Sequence, residues 1–505
     1  MKIRVVFASA GMHRNPLRVL RHCFVLSLLS ISLVACNTVG PTYQLPQQAV
    51  IQRADAARPF IEVKKAKENI YQQIPLPAHW WRLYRTPALD QLIEKAFAAN
   101  TDVRIAAANL LRVRAIQDET EAATQPVFGV NAAPGVGRSS AAAKGLKAAL
   151  PNGTVHEAGV SVAYQFDLVG KLARAIEASD ADTQAAQAAY DLVRVTIAAD
   201  TARAYADICS SRHQMQVAQK SIDLQQQFLG LTEQRLQAGR GTTLDTSLAR
   251  AQLAQLRSVV PPLQAQNHAA QYRLAVLTGE LPGALSADVI GCDTMPRLTS
   301  ALPVGDGAAL LRRRPDIRQA ERGLAAATAH IGIVTAELYP SISFGFSAGS
   351  TGTLPQFGAT NAFHWNLGPL LSWTVPSTGT ARSHIAQAEA ATQAALARFD
   401  GVVLNSLREA ETALTVYSHE SARHAELMEA KKQNVIAAEQ AHTLFQYGRT
   451  DFLNALEADR MLAAAESALA VSEAQLATDQ INLFMSLGGG WETGDDVLVH
   501  ASNSQ

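Results

Sequence analysis

An excess of charge of either sign is missing from this chain: 44 basic side chains balance 44 acidic ones over 505 residues. That leaves no electrostatic footprint for nucleic acid, and no block of like charge forms an interaction tail. Aromatic residues are only 6% of the sequence, which suits long, closely approaching helices better than a thick aromatic core. There is no Walker-type phosphate loop, no paired-histidine metal motif, no nucleophile elbow and no Cys-x-x-Cys, so neither an enzyme nor a cofactor or metal is expected. Cysteine is scarce, at positions 23, 36, 209 and 292. Cys209 and Cys292 can pair in an oxidising compartment or remain free or buried thiols, because sequence separation carries no distance.

What is present is repetition. Tyr164 to Gly279 recurs without a gap as Trp373 to Gly488, a shift of 209 residues that lays TQAAQAAYD at Thr183 on TQAALARFD at Thr392. The same shift carries Gly239, Arg240, Leu244, Leu253 and Gly279 onto Gly448, Arg449, Leu453, Leu462 and Gly488. Asp102 to Pro126 matches Asp316 to Pro340 at a slightly larger shift. One supersecondary unit is used twice.

In chain order, residues 1–35 read as an export signal. Arg14, Arg18, Arg21 and His22 precede an apolar run from Cys23 to Ala35 that is too short to span a bilayer. Leu33-Val34-Ala35-Cys36 has the form of a bacterial lipobox, which makes Cys36 the expected lipidation site, with Asn37 favouring transfer to the outer membrane. Residues 36–87 are expected as a lipid-anchored, extended strap. Residues 88–279 form the first repeat: a helix to about Thr124, a β-hairpin over about 127–168, and a long helix hairpin over 171–278 kinked at Pro261-Pro262. Residues 280–306 are a linker, 307–488 the second repeat with its hairpin over about 341–375 and helix hairpin over 380–487, and 489–505 a tail.

Both hairpins alternate with a period of two. Phe128, Val130, Val160, Val162, Phe344, Phe346, Phe363 and Trp365 fall on an apolar face, whereas Asn131, Ser161, Gln165 and Asn366 fall on a polar one. Strands of about ten residues suffice to cross a bilayer at a tilt. Four strands leave open edges in lipid, while three chains close a barrel of about twelve.

WWRLYRTPALDQLIEKAFAAN at Trp80, LLRRRPDI at Leu310, LYPSISF at Leu338, YGRTDFLNALEADRML at Tyr447 and LGGGW at Leu487, with the lipobox, resemble the TolC-like outer-membrane factors of the lipidated NodT/OprM type. The resemblance covers nearly the whole mature chain. It implies a mixed α and β membrane protein: a trimeric 12-stranded β-barrel, four strands per chain, continued by a 12-helix periplasmic α-barrel and built from two internal repeats. It also implies an outer-membrane exit duct of a tripartite efflux system, partnered by a periplasmic membrane-fusion adaptor and an inner-membrane pump of the RND type. On that resemblance the helix turns are adaptor-docking tips, with Gly239, Arg240, Thr242, Gly448, Arg449 and Thr450 as contacts. Each glycine equally serves to end a helix. Lys220, Asp223, Glu429 and Lys432 are candidate gate residues, with charges reversed between equivalent positions; a solvated pair on one helix face is the plainer reading. The duct of a type I protein secretion system uses the same architecture. A pore-less coiled-coil lipoprotein has no use for amphipathic strands.

Overall fold

A computed structural model describes residues 38–65, 70–138, 140–142, 145–149, 151–292, 296–298, 300–373 and 378–491. The export signal, Cys36 and the tail beyond Trp491 lie outside the described residues.

The elements run α1 (Ile61–Lys65), β1 (Tyr71–Gln72), α2 (Pro87–Ala99), α3 (Thr101–Ala122), β2 (Val127–Gly137) and β3 (Gly153–Phe166). The chain continues through α4 (Lys171–Gln237), α5 (Thr243–Ser258), α6 (Val260–Leu277), α7 (Ala287–Ile290), β4 (Leu302–Pro303) and α8 (Gly307–Arg313). It ends with α9 (Pro315–Thr335), β5 (Ser341–Thr353), β6 (Phe363–Ser372), α10 (Thr378–Gln446) and α11 (Phe452–Ser486). At 67 and 69 residues, α4 and α10 are each about 100 Å long at 1.5 Å per residue.

The chain divides into two compact units. The first gathers the described residues up to Gln44 with Arg114–Asp182 and Leu324–Ala394. Its centre is an antiparallel sheet in the order β2-β3-β5-β6, so each hairpin pairs internally and the hairpins meet along β3 and β5. The segment after residue 37 is tied to this unit. Val39 donates its N–H to the Val169 carbonyl at 2.9 Å, and the buried Arg174 donates to the carbonyls of Val39 and Gly40 at 3.1 and 3.0 Å. Gly40 has φ +83°, and a Cβ there would lie 2.4 Å from the Gly332 Cα, so only glycine permits this crossing.

The second unit comprises Leu45–Val113, Thr183–Gly323 and the described part of Ala395–Gln505. Residues 45–87 are less extended than the sequence suggests, because α10 supplies anchors that order short helices. The Asp400 carboxylate accepts from Val50 N–H at 2.8 Å, and Glu411 accepts from Ile61 at the start of α1 at 2.7 Å. Trp80 and Trp81 are fully buried; the Trp80 ring lies 5.1 Å from that of Phe484. The closing Gly489 and Gly490 leave the room that these indoles fill.

Two expectations change here, and one question left open by the sequence is answered. The helix expected from residue 88 to 124 is two helices, broken at Asn100. The kink at Pro261-Pro262 is a break at Val259, since neither proline can donate to a carbonyl four residues back and both sit well in a first helical turn. Cys209 and Cys292 are joined in a disulfide that fastens the linker to α4.

Candidate functional site

The strand register sorts the alternating residues into two faces. Phe128, Val162, Phe346 and Leu367 are cross-strand neighbours in one row, and Val130, Val160, Ala348 and Trp365 in the next-but-one. Phe344 and Phe363 fall on the same face, so all eight residues expected to face lipid share it. The intervening rows hold Gly129, Ser161, Ser347 and Asn366, then Asn131, Gly159, Gly349 and His364. Phe128, Val130 and Trp365 are 77%, 83% and 65% exposed in the single chain. Apolar exposure on that scale marks a surface meant for a non-aqueous environment or a partner.

The helices α4 and α10 end alike. Gly239 and Gly448 take φ of +70° and +68°. Arg240 N–H reaches the Arg235 carbonyl and Arg449 N–H the Leu444 carbonyl, both at 2.8 Å, which is the Schellman closure. The next helix is capped in each case: the Thr242 hydroxyl accepts from Asp245 N–H at 3.2 Å, and the Asp451 carboxylate from Asn454 N–H at 2.9 Å. Gly239, Arg240, Thr242, Gly448 and Arg449 are exposed, and Thr450 is half-buried. Nothing lies within 4 Å of a Cβ built on either glycine, so backbone geometry alone requires them.

A packed cluster that sequence reasoning missed stands just above these turns. Phe228 of α4 stacks on Phe452 of α11 at 5.3 Å and 9°, and meets Phe445 of α10 at 5.6 Å. The Arg235 guanidinium lies 4.3 Å above the Phe445 ring. Ala249, Ala455 and Leu456 complete this seam between the hairpins. Its sequence signal was weak because the shift of 209 places Ala437 opposite Phe228.

The structure separates the four gate candidates. Lys220 of α4 reaches Glu466 of α11 at 3.6 Å and so links the hairpins. Asp223 accepts from Gln219 on its own helix at 2.8 Å. Glu429 and Lys432 pair with each other at 3.5 Å along α10. The Gln433 amide first, then the Lys432 charge, holds the Glu429 carboxyl below its usual range.

The two repeats also share a joint, marked in the second repeat by the LLRRRPDI motif but with partners that no motif or period announced. The Asn100 side chain donates to the Leu277 carbonyl at 3.1 Å, and Arg314 Nη1 to the Ser486 carbonyl at 2.8 Å. These are equivalent positions, and each seats the end of a returning helix against the start of another. Glu280 adds a 2.5 Å pair with Lys95. Arg314 also grips Asp316 through two nitrogens at 2.9 and 2.7 Å and Glu409 at 2.8 Å. Burial opposes its charge, but these carboxylates outweigh it and raise the guanidinium pKa. The joint borders a cavity of about 340 Å³ lined also by Leu192, Val195 and Met485.

Among the described residues no three His, Cys, Asp or Glu side chains gather so as to hold a metal ion, and no helix is long and apolar enough to cross a membrane. Residues 92–280 and 308–489 match the model of the outer membrane efflux protein family, and the chain belongs to that family. It is 27% identical over 482 residues to the cation efflux system protein CusC of Escherichia coli, covering 95% of this chain and 100% of that protein. It is 28% identical over 487 residues to the pyoverdine export outer membrane protein OpmQ of Pseudomonas putida, covering 94% and 98%. The structure of the outer-membrane channel OprN matches with a TM-score of 0.82 at 34% identity, covering 90% of this chain and 99% of that one. The Campylobacter jejuni CmeC outer membrane channel shares the fold, with a TM-score of 0.80 at 16% identity and 92% and 98% coverage. The chain is an outer-membrane efflux channel with the mixed helical and strand fold of the trimeric members of this class.

Proposed function

We propose that three copies of this chain form the exit duct of a tripartite efflux system, passively conducting small solutes or drugs delivered by an inner-membrane pump through a periplasmic adaptor. The observation that carries this reading is the strand register, which puts every apolar strand position named above on one face. Within one chain β2 and β6 each keep an unpaired edge. Pairing β6 of one copy with β2 of the next removes all such edges from lipid in a ring of three. The names of the relatives carry cations in one case and pyoverdine in another. Cargo therefore follows from the pump, for which an RND type is our reading.

Cys36 is the lipid anchor in this account. It precedes by three residues Val39, which is bonded to Val169 just beyond β3, so an acyl chain would start within about 11 Å of that point. The turns carrying Gly239, Arg240, Thr242, Gly448, Arg449 and Thr450 receive the adaptor. Lys220 and Asp223, with Glu429 and Lys432 at the equivalent positions of the second repeat, contribute to the gate. Lys220 carries most of that role, because its bond to Glu466 joins the two hairpins.

The test is accumulation of a fluorescent efflux substrate in cells lacking the protein, with expression of the assembled protein verified. Retention is expected to rise, to fall again with the intact gene, and to stay high with Gly448→Asp. Equal retention with and without the gene, across a panel of substrates, would contradict the reading.

A further inference from the structure

The two hairpins each carry a side-chain rung six residues before the turn glycine, and the two rungs differ in chemistry. In the first, Glu233 of α4 accepts from Arg250 of α5 at 2.7 Å. The shift of 209 carries this pair onto His442 of α10 and Asp459 of α11, which meet at 2.7 Å through Nε2 and Oδ1. Position and distance are preserved while the polarity is reversed. The first rung is a guanidinium–carboxylate pair and the second an imidazole–carboxylate pair, and of the side chains involved imidazole is the type that ordinarily changes charge near neutral pH.

The surroundings differ as well. The first rung is open to solvent, with Arg250 65% exposed; His442 and Asp459 are 34% and 20% exposed. The imidazole stands edge-on to the Phe228 ring at 5.3 Å, and that ring belongs to the other hairpin. His442 therefore sits where hairpin 2 closes on itself and where it meets hairpin 1.

We propose that the His442–Asp459 rung is a pH-sensitive latch on the second turn: protonated, it holds α10 to α11 beside Phe228; deprotonated, it lets that turn loosen while the Glu233–Arg250 rung keeps the first turn unchanged.

The groups around the latch point the same way. From α11 the facing charge is Asp459; its neighbour Arg460 is turned to Gln252 of α5 at 3.0 Å. From α4 the contact is the Phe228 ring, and the nearby Arg235 is committed to the Phe445 ring. On α10 the nearest acidic position is Glu439, one turn back. The Asp459 hydrogen bond raises the His442 pKa, burial partly opposes it, and the Asp459 charge adds to the rise. A folded-state pKa above the unfolded one gives stabilisation that is complete below the ordinary imidazole value of about 6.5 and is lost as pH rises through the folded value. Loosening thus belongs to the alkaline side. Its consequence for a channel rests on the turns being the periplasmic tips; the latch itself does not, and it can be read on the purified protein.

The experiment is hydrogen exchange by mass spectrometry on the full chain in detergent between about pH 6 and 8.5, corrected for intrinsic exchange rates. The peptide spanning Gly239 serves as the internal reference for the one spanning Gly448. The protection ratio, second turn over first, should fall with rising pH, by up to about tenfold for each unit by which pairing raises the pKa. His442→Gln should give a low ratio at every pH. His442→Glu with Asp459→Arg writes the first rung's chemistry into the second and should give a high, flat ratio. A flat wild-type ratio, or the same fall in the double variant, would overturn the proposal. Neither result would touch the efflux reading, which the accumulation assay tests separately.

Discussion

In the first helical hairpin the return path breaks at Val259 and is capped by Thr242; in the second it is a single 35-residue helix capped by Asp451. Both close with the same Schellman geometry at the turn and again at Gly279 and Gly488, where Glu280 and Gly489 reach back to the Ala275 and Phe484 carbonyls. The backbone skeleton has been kept twice, and the side chains that lock it have diverged. Where hairpin 1 uses an amide at its joint and a guanidinium in its rung, hairpin 2 uses a guanidinium and an imidazole. Duplication preserves what the backbone requires, while polar locks can be exchanged once their carbonyl or carboxylate is answered by some donor.

That comparison can be broken most strongly at the joint. Arg314→Met should destabilise the protein by roughly 3–5 kcal/mol, since it strands Asp316 in a partly buried site. Asn100→Ala at the equivalent position should cost only about 1–3 kcal/mol. Denaturant unfolding monitored by circular dichroism reads the difference, and equal losses would deny the two positions their different roles. Next comes the seam: Phe228→Ala should cost about 3 kcal/mol by emptying the space between Phe445 and Phe452. Ala437→Gly, its equivalent in α10, should cost about 1 kcal/mol through helix propensity alone. The turns should respond alike, with Gly239→Ala and Gly448→Ala each losing about 1–2 kcal/mol because φ is positive in both. Smallest is the exposed Glu233–Arg250 rung. A double-mutant cycle there should return about 0.2–1 kcal/mol, shrinking with salt.

How much of this could be read beforehand depended on which force wrote it. The strand faces were legible because a period of two is imposed by the pleat itself, and each of Phe128, Val160, Phe346 and Trp365 had only two sides to choose from. The turns were legible through Gly239 and Gly448, since few other residues accept their φ. The break at Asn100 was read past because Ala98, Ala99 and Thr101 look like ordinary continuation, yet the Asn100 side-chain oxygen caps the next helix by accepting from Asp102 and Val103 N–H at 2.8 and 3.2 Å. Only its amide's bond to the Leu277 carbonyl, 177 residues away, lay beyond local pattern. The disulfide was left open for the same reason: 83 residues separate Cys209 from Cys292. Lys220 was singled out, yet its partner Glu466 lies on another helix, beyond any local pattern. The family motifs marked the joint without explaining it. LLRRRPDI turns out to place Arg313 on the Leu76 carbonyl at 2.5 Å and Arg314 at the end of α11.

The central claim is that the sheet walls a water-filled pore with its apolar face turned to lipid. Single cysteines at Val130 and Asn131, probed in intact outer membranes with a small membrane-impermeant thiol reagent, test it most directly. Labelling of Asn131→Cys with Val130→Cys protected is the predicted result. Labelling of Val130→Cys with Asn131→Cys protected would contradict the account.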